Sequence, residues 1–427
     1  MGTAQDGRRC VRRRSRARRK ERQRVSRPRI VITGLGGISA LGTNAPAIWN
    51  AMKTGTNGIA PIDIPEKDEL KAKLAAQVRE LPDHGFERRL LLTTSRFGLL
   101  AMIAAKEALA DSGIMGHGID PLRTGAIIGT GIFGGDVIDT NYKAILLEKK
   151  KRTDIFLVPQ AMPSSPAVHV SMAFGLKGPV YGTSSACSSA NHAFAAALDT
   201  LRAGRADVMI AGGSDAPLNF GVLKAWDSMR ILSRNGCRPF SADRDGLVLG
   251  DGAGAVVLET EDHARARGAT ILAELAGAGL TADAGDIVAP DMDGAARAME
   301  QCLADADLAR GDVQYVNAHG TGTMGNDKTE TQAIRRAFGS HADSLAVSST
   351  KSMHGHCMGA SGALEMIAAV GTVRDGILPP TLGYENPDPE CDLDYVPNKP
   401  RKADVAAVIS NSFAFGGSNA VIAVKRA

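Results

Sequence analysis

The sequence lacks any run of about eighteen apolar residues, so no transmembrane helix is expected. No apolar stretch follows the charged N-terminus, so a secretory signal is not expected. Aromatic residues make up only 4% of the chain, which argues against stacking platforms for single-stranded nucleic acid. The six cysteines include no Cys-x-x-Cys pair and no regular framework, which speaks against a zinc site or a disulfide scaffold and for free thiols in a reducing cytoplasm. Asp243-Arg-Asp245-Gly opens like a calcium loop but lacks the third acidic position and the closing glutamate, so no metal is expected there.

The excess of positive charge is confined to one end. Thirteen Arg/Lys stand in residues 1–29 against Asp6 and Glu21, so those residues hold +11 of a net +4 and the rest of the chain is at −7. Like charges without apolar periodicity predict a disordered basic tail over residues 1–28. The body reads as alternating strands and helices. Arg29-Ile-Val-Ile-Thr and Thr124-Gly-Ala-Ile-Ile are buried-strand patterns. Asn44 is placed to cap a helix that runs to Lys53, and Ser95–Ser112 is amphipathic with Gly113 as its stop. Residues 62–90, charged and without period, predict surface helix and loop.

Gly129-Thr-Gly131-Ile-Phe-Gly134 matches G-x-G-x-x-G after a strand. It is followed by helix and the Lys149-Lys-Lys-Arg152 run, without the acidic residue a dinucleotide site needs. The expectation is that these glycines let backbone segments pass close together.

Two segments look alike. Ser184-Ser-Ala-Cys187 opens an alanine-rich helix that stops at Gly204, and Ser348-Ser-Thr-Lys351 precedes another that stops at Gly376. An internal duplication follows, with two α/β halves of mostly parallel sheet packed face to face and both special turns near one interface.

Cys187 stands at a strand-to-helix turn, where the helix end favours thiolate. His319 ends the strand pattern Val313–Ala318, and His354 and His356 lie in a glycine-rich turn. A thiol, imidazoles, a lysine and acids together point to acyl-thioester chemistry. Backbone N–H groups at Cys187 and in the Phe415-Gly416-Gly417 loop are candidates to hold an oxyanion, and two imidazoles can hold an enolate oxygen without a metal.

Those stretches also resemble a known family. Ser-Ala-Cys187-Ser-Ser-Ala, Asn-Ala-His319-Gly-Thr-Gly-Thr, Ser-Ser-Thr-Lys351-Ser-Met-His-Gly-His356 and Asn411-Ser-Phe-Ala-Phe415-Gly-Gly-Ser-Asn are similar to the motif set of the β-ketoacyl-acyl-carrier-protein synthases, most of all the type II elongating branch. Arg238-Pro-Phe-Ser-Ala-Asp-Arg-Asp-Gly and Leu249-Gly-Asp-Gly-Ala-Gly match as well, so the likeness spans about residues 29–426. Gly204–Leu218 is worded most like the nodulation protein E subgroup, rhizobial synthases of unusual acyl chains.

The resemblance implies a thiolase-like α/β fold, two duplicated halves forming a layered α-β-α-β-α core, with an N-terminal half over 29–270 and a C-terminal half over 271–427. It implies a homodimer and an acyl carrier protein as partner, without a cofactor, nucleic acid or membrane span. Cys187 would take the acyl group. His319 and His356 would assist decarboxylation of malonyl carrier protein, and Lys351 with Glu330 would hold their geometry. Asp327 lies in the same stretch, with a helix start as its plain alternative. Phe415 would gate malonyl entry, Ile132 and Phe133 would line the acyl pocket, and Lys151, Arg152 and Arg234 would dock the carrier protein. Two rival readings are a non-catalytic chain-length partner, which usually replaces the cysteine, and a thiolase, which uses a second cysteine. Cys357 lies off the motif position for that second cysteine and is expected to be core.

Overall fold

The computed structural model describes residues 27–116 and 119–427. The expected basic tail therefore lies outside the described residues except for Arg27 and Pro28, of which Arg27 pairs with Asp305 at 2.6 Å. Ten strands form one sheet: β1 (Ile30–Ser39), β2 (Thr124–Gly129), β3 (Val180–Thr183), β4 (Val208–Asp215), β5 (Gly252–Thr260), β6 (Ala273–Ala282), β7 (Tyr315–Asn317), β8 (Ala346–Ser348), β9 (Ala407–Ala414) and β10 (Ser418–Lys425). The principal helices are α1 (Ala45–Thr54), α2 (Arg96–Asp111), α3 (Gly135–Leu146), α4 (Ser165–Phe174), α5 (Ser189–Arg202), α6 (Phe220–Met229), α7 (Met292–Asp305), α8 (Met324–Phe338) and α9 (Ser361–Asp375).

The strands stand in the order β8-β7-β9-β10-β6-β1-β5-β4-β2-β3. From its outer edge inward, each half contributes its third, second, fourth, fifth and first strand, so the two halves repeat one topology. Their first strands, β1 and β6, join through only two residue pairs, Val31 with Glu274 and Ile32 with Ala273. There the sheet divides into two five-stranded parts with α5 and α9 between them. Helices α2 and α4 cover the outer face of the first part, and α7 and α8 that of the second. This is the expected α-β-α-β-α layering.

The expectation of mostly parallel strands is corrected. Each outer edge is parallel, but the pairings from β9 through to β4 are all antiparallel. The physical reason is clearest at β9 and β10. Only Phe415–Gly417 separate them, a hairpin turn too short for a crossover helix, so the chain must reverse.

Of the two central helices, α9 meets apolar surface on all sides, which is why it carries no polar face and thirteen of its fifteen residues are buried. The two helices pass so closely that a Cβ on Gly362 would lie 2.4 Å from Asn191 Oδ1. The Asn191 amide donates to Ser410 O at 3.2 Å and Ala420 O at 3.1 Å, so it ties α5 to the second half. Asn44 caps α1 as expected, accepting from Ala47 N at 2.8 Å. Residues 62–90 are less superficial than expected. Val78 is buried, and its N–H and C=O are held by Asp251 and Arg96 respectively.

Candidate active site

Cys187 sits in a single turn, Ala186–Ser188, between β3 and α5. Ala186 takes φ 49°, a left-handed conformation costly for a residue with a Cβ, and so presents the next side chain at the tip of the turn. The sulfur belongs to an apolar cluster with Leu223, Trp226, Leu247 and Met358, and the residue is 5% exposed. His319 follows β7, and His356 follows the short helix Lys351–His354 at the end of β8. The topology brings all three together: one ligand-type atom from each lies within 4.8 Å of the others. The two imidazoles meet edge to face at 5.5 Å and 87°. A cavity of about 380 Å³ opens on this trio and is lined further by Trp226, Phe413 and Phe415.

Burial works against the helix-end thiolate expected at Cys187. Burial pushes the thiol up to about 12. The charge of Lys351 opposes this, Asp215 adds to it, and the N–H groups of Cys187 and Phe415 oppose it more weakly. The resting group is therefore a thiol. Desolvation is the largest influence because a buried anion loses its water.

Both histidines are held neutral. Burial first, then the Lys351 charge, then a neighbouring histidine keep each well below the ordinary imidazole range. Met358 N–H points at His356 Nδ1 at 3.1 Å, so Nδ1 accepts and the ring proton resides on Nε2. Ser361 Oγ lies 2.9 Å from the same nitrogen.

The pairing of Lys351 with Glu330 does not form. Lys351 makes a fully buried ion pair with Glu365 of α9 instead. Glu330 accepts from His319 N at 2.8 Å, Gly320 N at 2.7 Å and Asn411 Nδ2 at 3.0 Å, so it fixes the turn that carries His319. Burial still pushes its carboxyl up to about 7. Asp327 does lie in the first turn of α8, but it is wholly buried. It accepts from Phe240 N at 2.8 Å and Gly322 N at 3.2 Å.

Removal of one partner from a buried ion pair leaves an uncompensated charge. Glu365→Ala is expected to lower unfolding stability by about 3–5 kcal/mol. Denaturant melting checks this, and an unshifted midpoint would remove the pair from the account of stability. The sequence does carry a signal for Glu365: it is the lone acid within Gly362-Ala-Leu-Glu-Met-Ile-Ala-Ala-Val, where no face is left for solvent.

Phe415 stacks on Trp226 at 5.7 Å and 20°, and its turn is tied to the 283–290 segment through Gly416 N donating to Ile287 O at 2.8 Å. Ile132 packs against the Cys187 cluster, but neither it nor Phe133 lines the Cys187 cavity, and Phe133 is 42% exposed. Both line a second groove of about 600 Å³ along α3. Lys151, Arg152 and Arg234 are exposed, and among the described residues no ion pair engages them. Cys357 is core, as expected, and its S–H faces His354 O at 3.3 Å.

The glycines of the G-x-G-x-x-G stretch do mark close approach. A Cβ on Gly129 would lie 2.4 Å from Ser189 C, and one on Gly134 2.6 Å from Ala161 Cα.

Residues 27–264 match the family model described as beta-ketoacyl synthase, N-terminal domain, and residues 272–385 the one described as beta-ketoacyl synthase, C-terminal domain. Nodulation protein E of Rhizobium sp. (strain N33) is 53% identical over 93% of this chain and 99% of that protein. The 3-oxoacyl-[acyl-carrier-protein] synthase 2 of Coxiella burnetii is 39% identical over 94% of this chain and 99% of that protein. Among solved structures, a beta-ketoacyl synthase from Burkholderia phymatum superimposes with a TM-score of 0.87 at 36% identity, covering 94% of this chain and 100% of that one. AntDE:AntF, a type II PKS acyl-carrier protein in complex with its ketosynthase bound to the hexaketide, superimposes with a TM-score of 0.86 at 30% identity, covering 94% of this chain and 100% of that one.

Proposed function

The chain belongs to the β-ketoacyl synthase family, and on that premise we propose that it condenses an acyl group with malonyl-acyl carrier protein to give 3-oxoacyl-acyl carrier protein, with Cys187 as the acyl-holding nucleophile. It is a condensing acyltransferase, and its likeness to nodulation protein E favours a specialised acyl chain as product. The observation that carries the assignment of roles is the convergence of Cys187, His319 and His356 on one cavity. A non-catalytic chain-length partner has no use for a nucleophile and two neutral imidazoles in one place. A thiolase would need its second cysteine beside the first, and Cys357 turns its thiol into the core.

The steps follow from the geometry. Cys187 Sγ attacks the acyl thioester carbonyl, and the N–H groups of Cys187 and Phe415 receive the oxyanion. The carrier thiol leaves with the cysteine proton. Malonyl carrier protein then enters, and loss of CO2 leaves its electron pair on the α-carbon as an enolate. His356, through Nε2–H, and His319 donate to the enolate oxygen. The carbon attacks the acyl-cysteine, the new C–C bond forms as the C–S bond breaks, and Cys187 leaves as thiolate and takes up a proton from solvent. Lys351, Glu330 and Asp327 act as positioning residues, and Phe415, stacked on Trp226, gates the malonyl side.

The remaining assignments are proposals of the same reading. The halves divide near residue 270, between β5 and β6. A homodimer forms along the edge strand β3, supported by its one unpaired side and by the exposed Tyr181. Acyl carrier protein docks on Lys151, Arg152 and Arg234, an unpaired cationic set suited to an acidic partner. The protein acts in the cytoplasm; among the described residues no helix is long and apolar enough to cross a membrane.

The test is product analysis. Acyl- and malonyl-carrier protein incubated with the enzyme are expected to yield carrier protein bearing a 3-oxoacyl chain two carbons longer, with release of CO2. A carrier pool of unchanged mass would overturn the reading.

A further inference from the structure

Asp215 is the last residue of β4 and is wholly buried, with no cation among its hydrogen-bond partners. Its carboxylate receives four donors instead: Thr130 Oγ1 at 2.7 Å, Gly131 N at 2.7 Å, Ile132 N at 3.2 Å and Gly359 N at 2.6 Å. A carboxylate offers about four acceptor sites, so it is saturated.

Three of these donors come from one turn, residues 130–132. The fourth comes from the other half of the chain, next to Met358, whose own N–H fixes His356 Nδ1. Met358 and Ala186 share the same left-handed φ of 49°. The three backbone segments are in near contact. A Cβ on Gly131 would lie 3.0 Å from Ala186 O and 3.2 Å from Gly359 N, and one on Gly359 would lie 2.5 Å from Gly131 N. The 130–132 turn is thus wedged between the Cys187 turn and the His356 turn, with one carboxylate joining it to the second.

The charge does nothing for the nucleophile. Asp215 raises the Cys187 thiol, and burial pushes its own carboxyl up to about 6 despite four donors. Its contribution is therefore geometric. Ile132, held through its N–H, is partly buried and packs against the apolar cluster that contains Cys187, Trp226 and Met358. Ile132 thus stands between the Cys187 cluster and the groove along α3.

We propose that Asp215 is a specificity-positioning residue: by clamping the Thr130–Ile132 turn against Gly359 it sets the wall beside the acyl-cysteine and so decides which acyl chain lengths Cys187 accepts. This rests on the reading of Cys187 as the acyl-holding residue.

The experiment compares initial rates of Cys187 acylation, by intact mass, with one short-chain and one long-chain acyl carrier protein. Asp215→Asn keeps the size but turns an NH2 group toward N–H donors, and Thr130→Val removes a single donor as a milder change. The long-to-short rate ratio is expected to change by about tenfold in Asp215→Asn, in line with the sensitivity of reaction rates to small misplacements, and in the same direction by less in Thr130→Val. Structural damage alone lowers both chains in parallel, so an unaltered ratio in Thr130→Val, or in a folded Asp215→Asn, overturns the proposal. Failure of the wild-type protein to acylate at Cys187 with either chain would instead overturn the underlying assignment, so the two failures are told apart.

Discussion

Cys187→Ala protein exposed to acyl carrier protein keeps the mass of the bare polypeptide, and its condensation rate falls by roughly 10⁴-fold or more, as for loss of a covalent nucleophile. The size of the effect follows from the absence of a substitute. Cys237, Cys302, Cys357 and Cys391 are all buried, and among the described residues Cys187 is the one cysteine that lines the cavity. His319 and His356 remain in the variant, so slow release of CO2 from malonyl carrier protein is expected to persist. An acyl adduct on the alanine protein would relocate the nucleophile and with it the whole account of the site.

His356→Ala divides the two half-reactions. Acylation of Cys187 is expected to stay within about threefold of the parent, while condensation drops by roughly 10²–10³-fold, the usual cost of one oxyanion donor. In the proposed reading the imidazole has this one task. Its Nδ1 is occupied by Met358 N–H, which leaves Nε2–H as a donor toward the cavity. Normal condensation in the variant would take the enolate away from this residue.

A pH corollary has a definite sign. Both histidines lie well below the usual imidazole range, so their neutral, active form is lost only on acidification well below pH 6.5. Decarboxylation measured through that pH should show no titration limb there.

Much of this site is legible in the sequence. Cys187 is marked by its position between a strand and an alanine-rich helix, and His319 by its place at a strand end. Lys351, His356 and the Phe415 loop are marked by stretches of small residues around a reactive one. Local chemistry of that kind is written in consecutive residues. The partner of Lys351 is not, because Glu365 reaches it from another helix and only burial forces the two charges together. Resemblance places Ile132 and Phe133 along the acyl pocket, whereas both line the groove along α3 rather than the Cys187 cavity. The antiparallel centre of the sheet departs from the expectation because strand–helix alternation implies a crossover at every step, although the Phe415–Gly417 turn is a hairpin.

By itself the sequence determined the elements, the duplicated order in which they recur, and the reactive groups at their ends. All of these depend on periodicity and on neighbours along the chain. The tertiary structure alone decided the state of those groups. Burial raises the Cys187 thiol and lowers both histidines, favouring the uncharged form of each. The tertiary structure also decided who holds them in place: Glu365 and Glu330 reach Lys351 and the His319 turn from other elements of the same half, and Asp215 finds its fourth donor, Gly359 N, only once both halves are packed together.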